Sequence, residues 1–550
     1  MRLLRGASKT KAIPSEPSDR PVEEFRSLPR PVVVLTMAGV MLGLFLAALD
    51  QTVVATSMPH IIADLGGFDR YTWITTAYLV ASTTAVPIIG KLSDIYGRKG
   101  VFIAGIVFFL VGSLFSGFSQ TMNQLIAVRA VQGIGAGIIL ASSFIATADL
   151  FPPAERGKYQ GMIASVFGLS SVIGPTLGGF ITDNFSWHWI FFVNIPLGVP
   201  VLALLVRFFP KSHPSDGSHR IDYVGMITII LAVVPFLVGL SWGGVQYAWS
   251  SPQVIGALAV GMIMTAVFIM VEIRAPDPVM PLGIYRNRVV SLSLIAIFFT
   301  GFGMFGSIIF VPLFFQGVLG ASATSSGSFL TPMMLGVVVG AALSGQALSR
   351  LGGHYRFQGL VGVAIMVTGL FLISRMTADT GYGRAVVNTV IMGLGLGSTF
   401  PVYTIAVQNA VPHSIVGVVT SATQFYRSIG GTLGLAVLGA IMANQFASRL
   451  SASLSPAVKQ ALSPSELSDL TNNPQSIVNS DALAGLQAMF SQQGPQGAAL
   501  AEQLLQSLRS TLASAIGDVF LISLVVVAVA FATTLFLREF PLKTRSPSES

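Results

Sequence analysis

Three ionisable residues lie well inside long apolar segments of this chain: Asp50, Arg129 and Arg427. A charged side chain at the centre of a bilayer costs roughly 2.5–3.5 kcal/mol on insertion scales, so such a residue indicates a function. Burial favours the neutral acid, whereas a nearby guanidinium favours the carboxylate. Moving Arg129 or a ligand relative to Asp50 would therefore load and unload a proton. A static structural ion pair is the alternative interpretation.

The depths of Asp50 and Arg129 agree. Asp50 lies about seven residues from the end of its apolar segment and Arg129 about six from the start of its own, so both are roughly 10 Å deep at about 1.5 Å per residue. We expect the two side chains to share one level and to face one cavity. Arg427 lies near the middle of a later segment. For Arg427 three roles stay open: binding an anionic ligand group, pairing transiently with Asp50, or bonding backbone carbonyls.

The composition indicates which elements position these residues. The chain has 550 residues, of which 52% are hydrophobic and 10% charged, and its mean hydropathy is +0.74. A soluble protein would carry roughly a quarter charged residues. Continuous apolar stretches of about 20 residues recur, and each can cross a hydrocarbon core about 30 Å thick. Backbone groups in lipid must be bonded internally, so the sequence predicts an all-α polytopic membrane protein.

The apolar stretches predict fourteen spans. We place them at 31–57, 71–92, 100–119, 123–149, 157–183, 188–209, 221–242, 252–273, 289–317, 325–349, 355–376, 385–410, 416–445 and 513–537. An even number of spans puts both termini on one side of the membrane. Residues 1–30 and 541–550 are then polar tails, and 446–512 is a polar loop on the opposite side.

The distribution of Lys and Arg indicates on which side of the membrane the termini lie. If the chain starts inside, 23 of its 31 Lys and Arg fall in inner segments and 6 in outer ones. This bias matches the positive-inside rule, so we predict a plasma-membrane protein with both termini in the cytoplasm. All five tryptophans then lie near the outer interface. The same distribution accounts for the net charge of +8 and argues against a nucleic-acid partner.

An internal repeat divides the chain. The charged turn 90–99 (GKLSDIYGRK) returns partially at 345–353 (GQALSRLGG), and the glycine run 133–137 returns at 393–397. We therefore predict two six-helix bundles, 31–209 and 288–540, related by a pseudo-two-fold axis. Residues 210–287 form an inserted two-helix hairpin. Duplicated halves around a central pathway are a common plan among transporters.

The turn 90–99 carries a second group of candidate residues. Gly90 and Gly97 suit close packing and a tight turn, and Asp94 can cap or pair with a neighbouring helix end. With Arg98 and Lys99, this turn would act as a latch that stabilises one facing of a transporter. Positive-inside anchoring alone explains Lys99 but not Asp94. The repeat has Ser349 in the place of Asp94, so we expect a one-sided latch.

At these motifs the chain resembles the major facilitator superfamily, specifically its fourteen-span drug:proton antiporter branch. The turn 90–99 matches the pattern G-x-L-x-D-x-x-G-R-K, and 49–54 (LDQTVV) is similar to L-D-x-T-I-V. Segment 129–135 (RAVQGIG) is similar to R-x-x-Q-G-x-G, and 427–431 (RSIGG) is also typical of the branch. The antiporter motif is matched by Gly174, Pro175, Gly178 and Gly179, where the proline permits a helix bend.

The resemblance implies a proton-driven antiporter that exports hydrophobic, often cationic, compounds by alternating access. It implies no cofactor, because the proton gradient supplies the energy, and no enzymatic activity. No metal site is expected, since no pair of histidines has metal-ligand spacing on one helix face. Candidate lining residues of the substrate cavity are Gln132, Phe302, Phe305, Gln316, Tyr403, Gln424 and Arg427.

Two other readings remain. An exporter of lipid or siderophore-like molecules would use segment 446–512 to reach a partner outside the membrane. Within that segment, apolar residues between 498 and 508 recur at helical spacing and predict an amphipathic helix, although a loop of no specific role is the alternative. A membrane-embedded enzyme would need an acidic metal cluster or a nucleophile at the membrane face, and neither pattern is visible.

Overall fold

The computed structural model describes residues 29–66, 70–210, 221–244, 246–320, 323–350, 353–463, 490 and 495–542. Across these ranges the chain is helical, and its one β-type contact is an isolated bridge between Gly243 and Tyr247. Fourteen helices in this part of the chain are long and apolar enough to cross a membrane. The predicted all-α fold with fourteen spans is confirmed.

The fourteen helices follow one another along the chain. They are α1 Arg30–Leu65, α2 Thr72–Tyr96, α3 Arg98–Gly117, α4 Met122–Leu150, α5 Pro153–Asn184, α6 Trp189–Phe208, α7 Tyr223–Trp242, α8 Pro252–Arg274, α9 Arg288–Leu313, α10 Ala323–Arg350, α11 Tyr355–Ser374, α12 Tyr382–Asn409, α13 Val416–Ser453 and α14 Pro495–Leu535. We call the end of the molecule where α1 begins and α14 ends the terminal end. The opposite end is the loop end.

Local sequence explains where several helices begin. Thr121 and Ser251 accept a hydrogen bond from a backbone N–H of the first turn of α4 and α8, and such caps satisfy donors that have no partner within the helix. Pro153 occupies the first position of α5, where its missing N–H costs nothing. Gly97 separates α2 from α3 with a φ of 87°, a conformation that favours glycine.

The helix pairings show the pseudo-two-fold relation. In the first half α2 packs on α4, α3 on α4, and α1 on α5 and α6. In the second half α10 packs on α12, α11 on α12, and α9 on α13 and α14. Adding eight to each helix number of the first half gives the pair in the second half. The two six-helix bundles predicted from the sequence repeat are therefore built on one plan.

Two seams join the bundles, and they are related by the same axis: α5 packs on α10, and α2 packs on α13. At the first seam the backbones of Gly157 and Gly345 are in direct contact. At the second, a Cβ on Gly90 would lie 2.6 Å from Ser421 Oγ and 3.1 Å from the Gly417 carbonyl oxygen. All these glycines lie toward the terminal end, so the tight crossings close that end.

The inserted hairpin consists of α7 and α8, which pack on each other. Helix α7 also lies against α2 and α13. The hairpin is therefore placed over the α2–α13 seam, and it gives the two seams different surroundings.

Helices α13 and α14 are longer than a membrane requires. Helix α13 has 38 residues, which is about 57 Å at 1.5 Å per residue. Arg449, beyond the predicted end of its span, pairs at 2.5 Å with Asp518, near the predicted start of the last span, and Leu504 and Leu508 of the predicted loop are buried. The predicted amphipathic helix is confirmed, and it is continuous with the last span. Both ends of segment 446–512 therefore belong to a helical stalk, which we define as residues 446–453 of α13 and 495–518 of α14.

Candidate functional site

The Asp50 carboxylate is the centre of a buried polar cluster in the first bundle. Its Oδ2 lies 2.5 Å from Arg129 Nη1. Its Oδ1 accepts hydrogen bonds from Gln132 Nε2 at 2.8 Å and from Asn194 Nδ2 at 2.9 Å. Asp50 and Arg129 are each 1% exposed. The pair is electrically neutral, and its hydrogen bonds offset much of the cost of removing both charges from water.

Arg129 is held by aromatic and polar side chains as well as by Asp50. Its guanidinium carbon lies 4.2 Å above the centre of the Tyr78 ring and 5.7 Å from that of Phe191. Arg129 Nη1 also donates to Gln132 Oε1 at 2.8 Å. Because the ring faces are electron-rich, they stabilise the cation in a low-dielectric site. Four helices, α1, α2, α4 and α6, converge on this ion pair.

Asn194 and Ser113 belong to the site but were not predicted from the sequence. Asn194 Nδ2 bridges Asp50 Oδ1 and Ser113 Oγ, the latter at 2.8 Å. Ser113 Oγ donates in turn to the Phe191 carbonyl oxygen at 2.9 Å. Asn194 lies where the helical segments Trp189–Phe192 and Asn194–Phe208 of α6 meet. An amide in an apolar span beside a helix break was a signal that could have identified it.

The second bundle contains a buried guanidinium, that of Arg427, whose neighbours differ from those of Arg129. Arg427 is 7% exposed, donates to Gln424 Oε1 at 2.9 Å and lies 4.1 Å from the centre of the Phe400 ring. Among the described residues its polar and aromatic contacts are these two, and neither carries a negative charge. Gln424 Nε2 is buried without a hydrogen-bond partner. In this structure Asp50 pairs with Arg129 and not with Arg427.

The other candidate cavity residues are distributed over several places. Phe302 and Phe305 of α9 lie against Gly434 and Gly431 of α13, the helix that carries Arg427. Tyr403 shares a hydrogen bond of 2.6 Å with Thr534 of α14. Two further candidates lie elsewhere: Gln132 belongs to the Asp50 cluster, and Gln316 is half-buried in a short π-helix that follows α9.

The predicted latch residues lie at the α2–α13 seam. Asp94 and Arg98 form an ion pair, and Arg98 Nε donates to Asp149 Oδ2 of α4 at 2.9 Å. A Cβ on Gly417 would lie 2.5 Å from Asp94 Oδ1, so this carboxylate lies beside the first turn of α13. A negative charge is stabilised at a helix N-terminus. The geometry thus joins an ionic group of the first bundle to a helix of the second.

Lys99 has a separate role within the first bundle. Its Nζ donates to the carbonyl oxygens of Val206 and Phe209 at 2.7 and 2.8 Å. These carbonyls end α6, where a cation and a donor are both favourable.

The antiporter-motif glycines divide into two groups. Gly174 and Gly178 of α5 face α1, where an added Cβ would collide with Thr52 and Thr56. Gly179 has no heavy atom within 4 Å of such a Cβ. Pro175 lies inside α5 and removes one backbone hydrogen bond of the helix. Close contact between α1 and α5 therefore needs only the first two glycines.

Fourteen apolar helices in two related bundles, with an ion pair buried inside one of them, define a membrane transporter. A family model described as Major Facilitator Superfamily matches residues 40–435. The chain belongs to the major facilitator superfamily.

Two relatives from Bacillus subtilis (strain 168) align with nearly the whole chain. "Multidrug transporter protein MdtP" is 36% identical over 517 residues, which cover 94% of this chain and 95% of the relative. "Multidrug resistance protein 3" is 38% identical over 506 residues, covering 92% and 95%. The relatives' names describe drug transport and resistance.

Two solved structures share the fold at low sequence identity. The proton:xylose symporter XylE aligns with a TM-score of 0.56 and 13% identity over 94% of this chain and 98% of its own. The human organic anion transporter MFSD10 (TETRAN) aligns with a TM-score of 0.55 and 14% identity, covering 91% and 100%. These similarities support the architecture alone.

Proposed function

We propose that this protein is a proton-coupled antiporter that exports hydrophobic or cationic drug-like compounds across the plasma membrane. The terminal end would face the cytoplasm, with both chain termini inside, and the proton gradient would drive export without a cofactor or covalent step. Relatives named for multidrug transport and resistance, which align with nearly the whole chain, support the drug part of the proposal. The Asp50–Arg129 pair supports the proton part.

The observation that carries the proton assignment is a carboxylate fully buried beside a guanidinium. In the paired arrangement the oxygens of Asp50 contact Arg129, Gln132 and Asn194. If Arg129 moves away, the carboxylate loses its counter-ion, and burial then favours the protonated acid. Protonation would neutralise Asp50 and free Arg129. A motion between α1 and α4 thus becomes coupled to proton binding.

We propose that the two bundles move against each other at the two seams. Gly157–Gly345 and Gly90–Ser421 are backbone-close crossings at the terminal end, so the bundles pivot as packed bodies there and do not deform continuously. The described structure has this end closed and Asp50 paired. In the proposed cycle this state precedes proton uptake from the loop end, and protonation precedes opening of the terminal end.

On the substrate side, we expect the second bundle to provide the binding surface. Phe305 and Phe400 offer apolar contact, and Arg427 with Gln424 offers donors to acceptor atoms of a bound compound. A pocket with deformable apolar walls and few fixed polar partners accepts many ligands.

Transport by purified protein in proteoliposomes tests the proposal. An imposed proton gradient should drive uptake of a fluorescent drug into vesicles, and dissipating the gradient with an ionophore should abolish it. Asp50→Asn should lose the gradient-driven component, whereas Asp183→Asn, which removes an exposed carboxylate of α5, should keep it. Full gradient-driven transport by Asp50→Asn would refute the assignment.

The stalk supports a second candidate, export of lipid or siderophore-like molecules to a partner outside the membrane. The stalk is ordered by the Arg449–Asp518 pair and by a hydrogen-bond contact of 3.2 Å between Ser453 and Thr511. Replacing residues 464–489 with a Gly-Ser linker would separate the two functions. Drug export should survive this replacement, whereas transfer of a lipid to a partner should not.

A further inference from the structure

Two carboxyl groups approach each other at the terminal end of the inserted hairpin. Asp222 precedes the first residue of α7, and Glu272 lies in the last turn of α8. A Cβ added to Gly225 would lie 2.9 Å from Glu272 Oε1 and in contact with Asp222 Oδ2. Both oxygens therefore point to the same place beside Gly225. Glu272 is 3% exposed.

Each carboxyl group has one satisfied oxygen and one unsatisfied oxygen. Asp222 Oδ1 accepts from Gly225 N–H at 2.8 Å, and Glu272 Oε2 accepts from Met280 N–H at 3.1 Å. Asp222 Oδ2 and Glu272 Oε1 are buried and have no hydrogen-bond partner. The two unsatisfied atoms are the two that approach the same point beside Gly225.

The neighbouring cation is shared with another acid. Lys91 of α2 acts electrostatically on Glu272, but its ammonium forms an ion pair with Asp277, the next acidic residue after Glu272. Tyr285 lies near Glu272, but burial and its contact with Tyr426 raise the pKa of its hydroxyl far above the ordinary value, so it stays neutral. If both carboxyl groups were ionised, two negative charges would face each other with no cation of their own.

Such an arrangement is unstable unless something binds between the oxygens. An unpaired buried carboxylate is strongly unfavourable, and two carboxyl groups that share a site do not both ionise. The helix dipoles distinguish them. Asp222 is at the N-terminus of α7, which stabilises its charge, whereas Glu272 is at the C-terminus of α8, which disfavours a negative charge.

We propose that Asp222 and Glu272 form a proton-binding site in which Glu272 Oε1 carries one proton and donates it to Asp222 Oδ2. This site is separate from Asp50: it lies on the inserted hairpin, outside both six-helix bundles. The shared proton joins the start of α7 to the end of α8. Together with the Lys91–Asp277 pair, it fastens the hairpin over the α2–α13 seam at the terminal end.

Infrared spectroscopy of the full-length protein in lipid at neutral pH tests the site. The wild type should show the carbonyl band of a protonated carboxylic acid, and Glu272→Gln should lack it. Glu155→Gln, which removes an exposed glutamate of the same end, should retain the band, as should Asp50→Asn. A wild type without the band, or a band that persists in Glu272→Gln, would overturn the proposal.

Isotope labelling covers the case in which Glu272→Gln fails to fold. Carbon-13 glutamate in the wild type should shift the band, and labelled aspartate should leave it in place; the reverse result contradicts the assignment to Glu272. Adding sodium chloride should not remove the band. Its loss on adding sodium would show that the site binds a metal cation instead of a proton.

Discussion

The two six-helix bundles share their helix pairings but not their charges. Gly90 and Gly345, which correspond in the sequence repeat, both lie at tight crossings between the bundles. In the first bundle Asp50 forms an ion pair with Arg129. In the second bundle Arg427 contacts an amide and an aromatic ring instead of a carboxylate. The first bundle also supplies Asp94 and Arg98 to its seam, where the repeat has Ser349.

This difference separates two requirements of a rocking transporter. Close helix crossings must be present on both seams for the bundles to pivot together, and they are duplicated. The buried ion pair that we propose to respond to protons needs to occur only once, and it lies in the first bundle. The second bundle is then free to form a binding surface. The comparison yields predictions in which the same substitution has different effects in the two halves.

The largest difference is expected for the two buried arginines. Arg129→Met leaves Asp50 buried without its counter-ion and should lower the free energy of unfolding by about 3–5 kcal/mol, the usual cost of breaking a buried pair. Arg427→Met removes a buried charge that has no matching carboxylate, so the loss should be under about 1 kcal/mol. Unfolding in detergent micelles measures both.

The double variant Asp50→Asn/Arg129→Met provides the control for the comparison of Arg129→Met with Arg427→Met. Because it removes both charges, it should recover most of the stability lost in Arg129→Met. Equal destabilisation by Arg129→Met and Arg427→Met would show that the bundles do not differ in charge balance.

A smaller effect is expected at the seam glycines. Gly90→Val introduces atoms where Ser421 and Gly417 already lie, and overpacking of about 1–3 kcal/mol should slow efflux by about tenfold or more. Gly179→Val points into open space and should leave the efflux rate within about twofold. Dye efflux from cells that express equal amounts of each variant measures this. Equal rates for both variants would argue against pivoting at the α2–α13 crossing.

The smallest effect is expected at the α5–α10 seam, where Ser349 takes the place that Asp94 has at the α2–α13 seam. The α5–α10 seam has a cavity of about 490 Å³ lined by Glu155, Lys158, Tyr159, Gln346, Ser349 and Arg350. Ser349→Asp places a carboxylate among its basic residues and should favour the closed terminal end by about 0.3–1 kcal/mol. Asp94→Asn should shift the same equilibrium toward opening by a similar amount.

Distances between spin labels across the terminal end measure both shifts, because the chain contains no cysteine and labels can be placed at will. A closed population unchanged by Asp94→Asn would contradict a latch at the α2–α13 seam.

The sequence predicted the scaffold because its signals are strong and local. Fourteen apolar runs determine fourteen helices, and the echo of Gly90 at Gly345 indicated two related halves. The Asp50–Arg129 pair followed from equal depth in two spans. Such inferences need only helical rise and the cost of charge in lipid.

What the sequence missed depends on helix rotation and on contacts distant in the chain. Asn194 reaches Asp50 across 144 residues, and no spacing rule connects them. The contact of the Tyr403 hydroxyl with Thr534 could not be predicted either, because residue type alone does not say which neighbour a helix face meets. The approach of Asp222 to Glu272 also required the packed hairpin.

Measuring proton release during substrate binding tests most directly whether Asp50 carries the proton. A drug is added to purified protein in weakly buffered, mildly acidic detergent solution, and a pH indicator records protons set free. The wild type and Glu272→Gln should release protons as the drug binds, whereas Asp50→Asn should bind the drug and release none. Equal release by Asp50→Asn and the wild type would contradict a proton carried by Asp50.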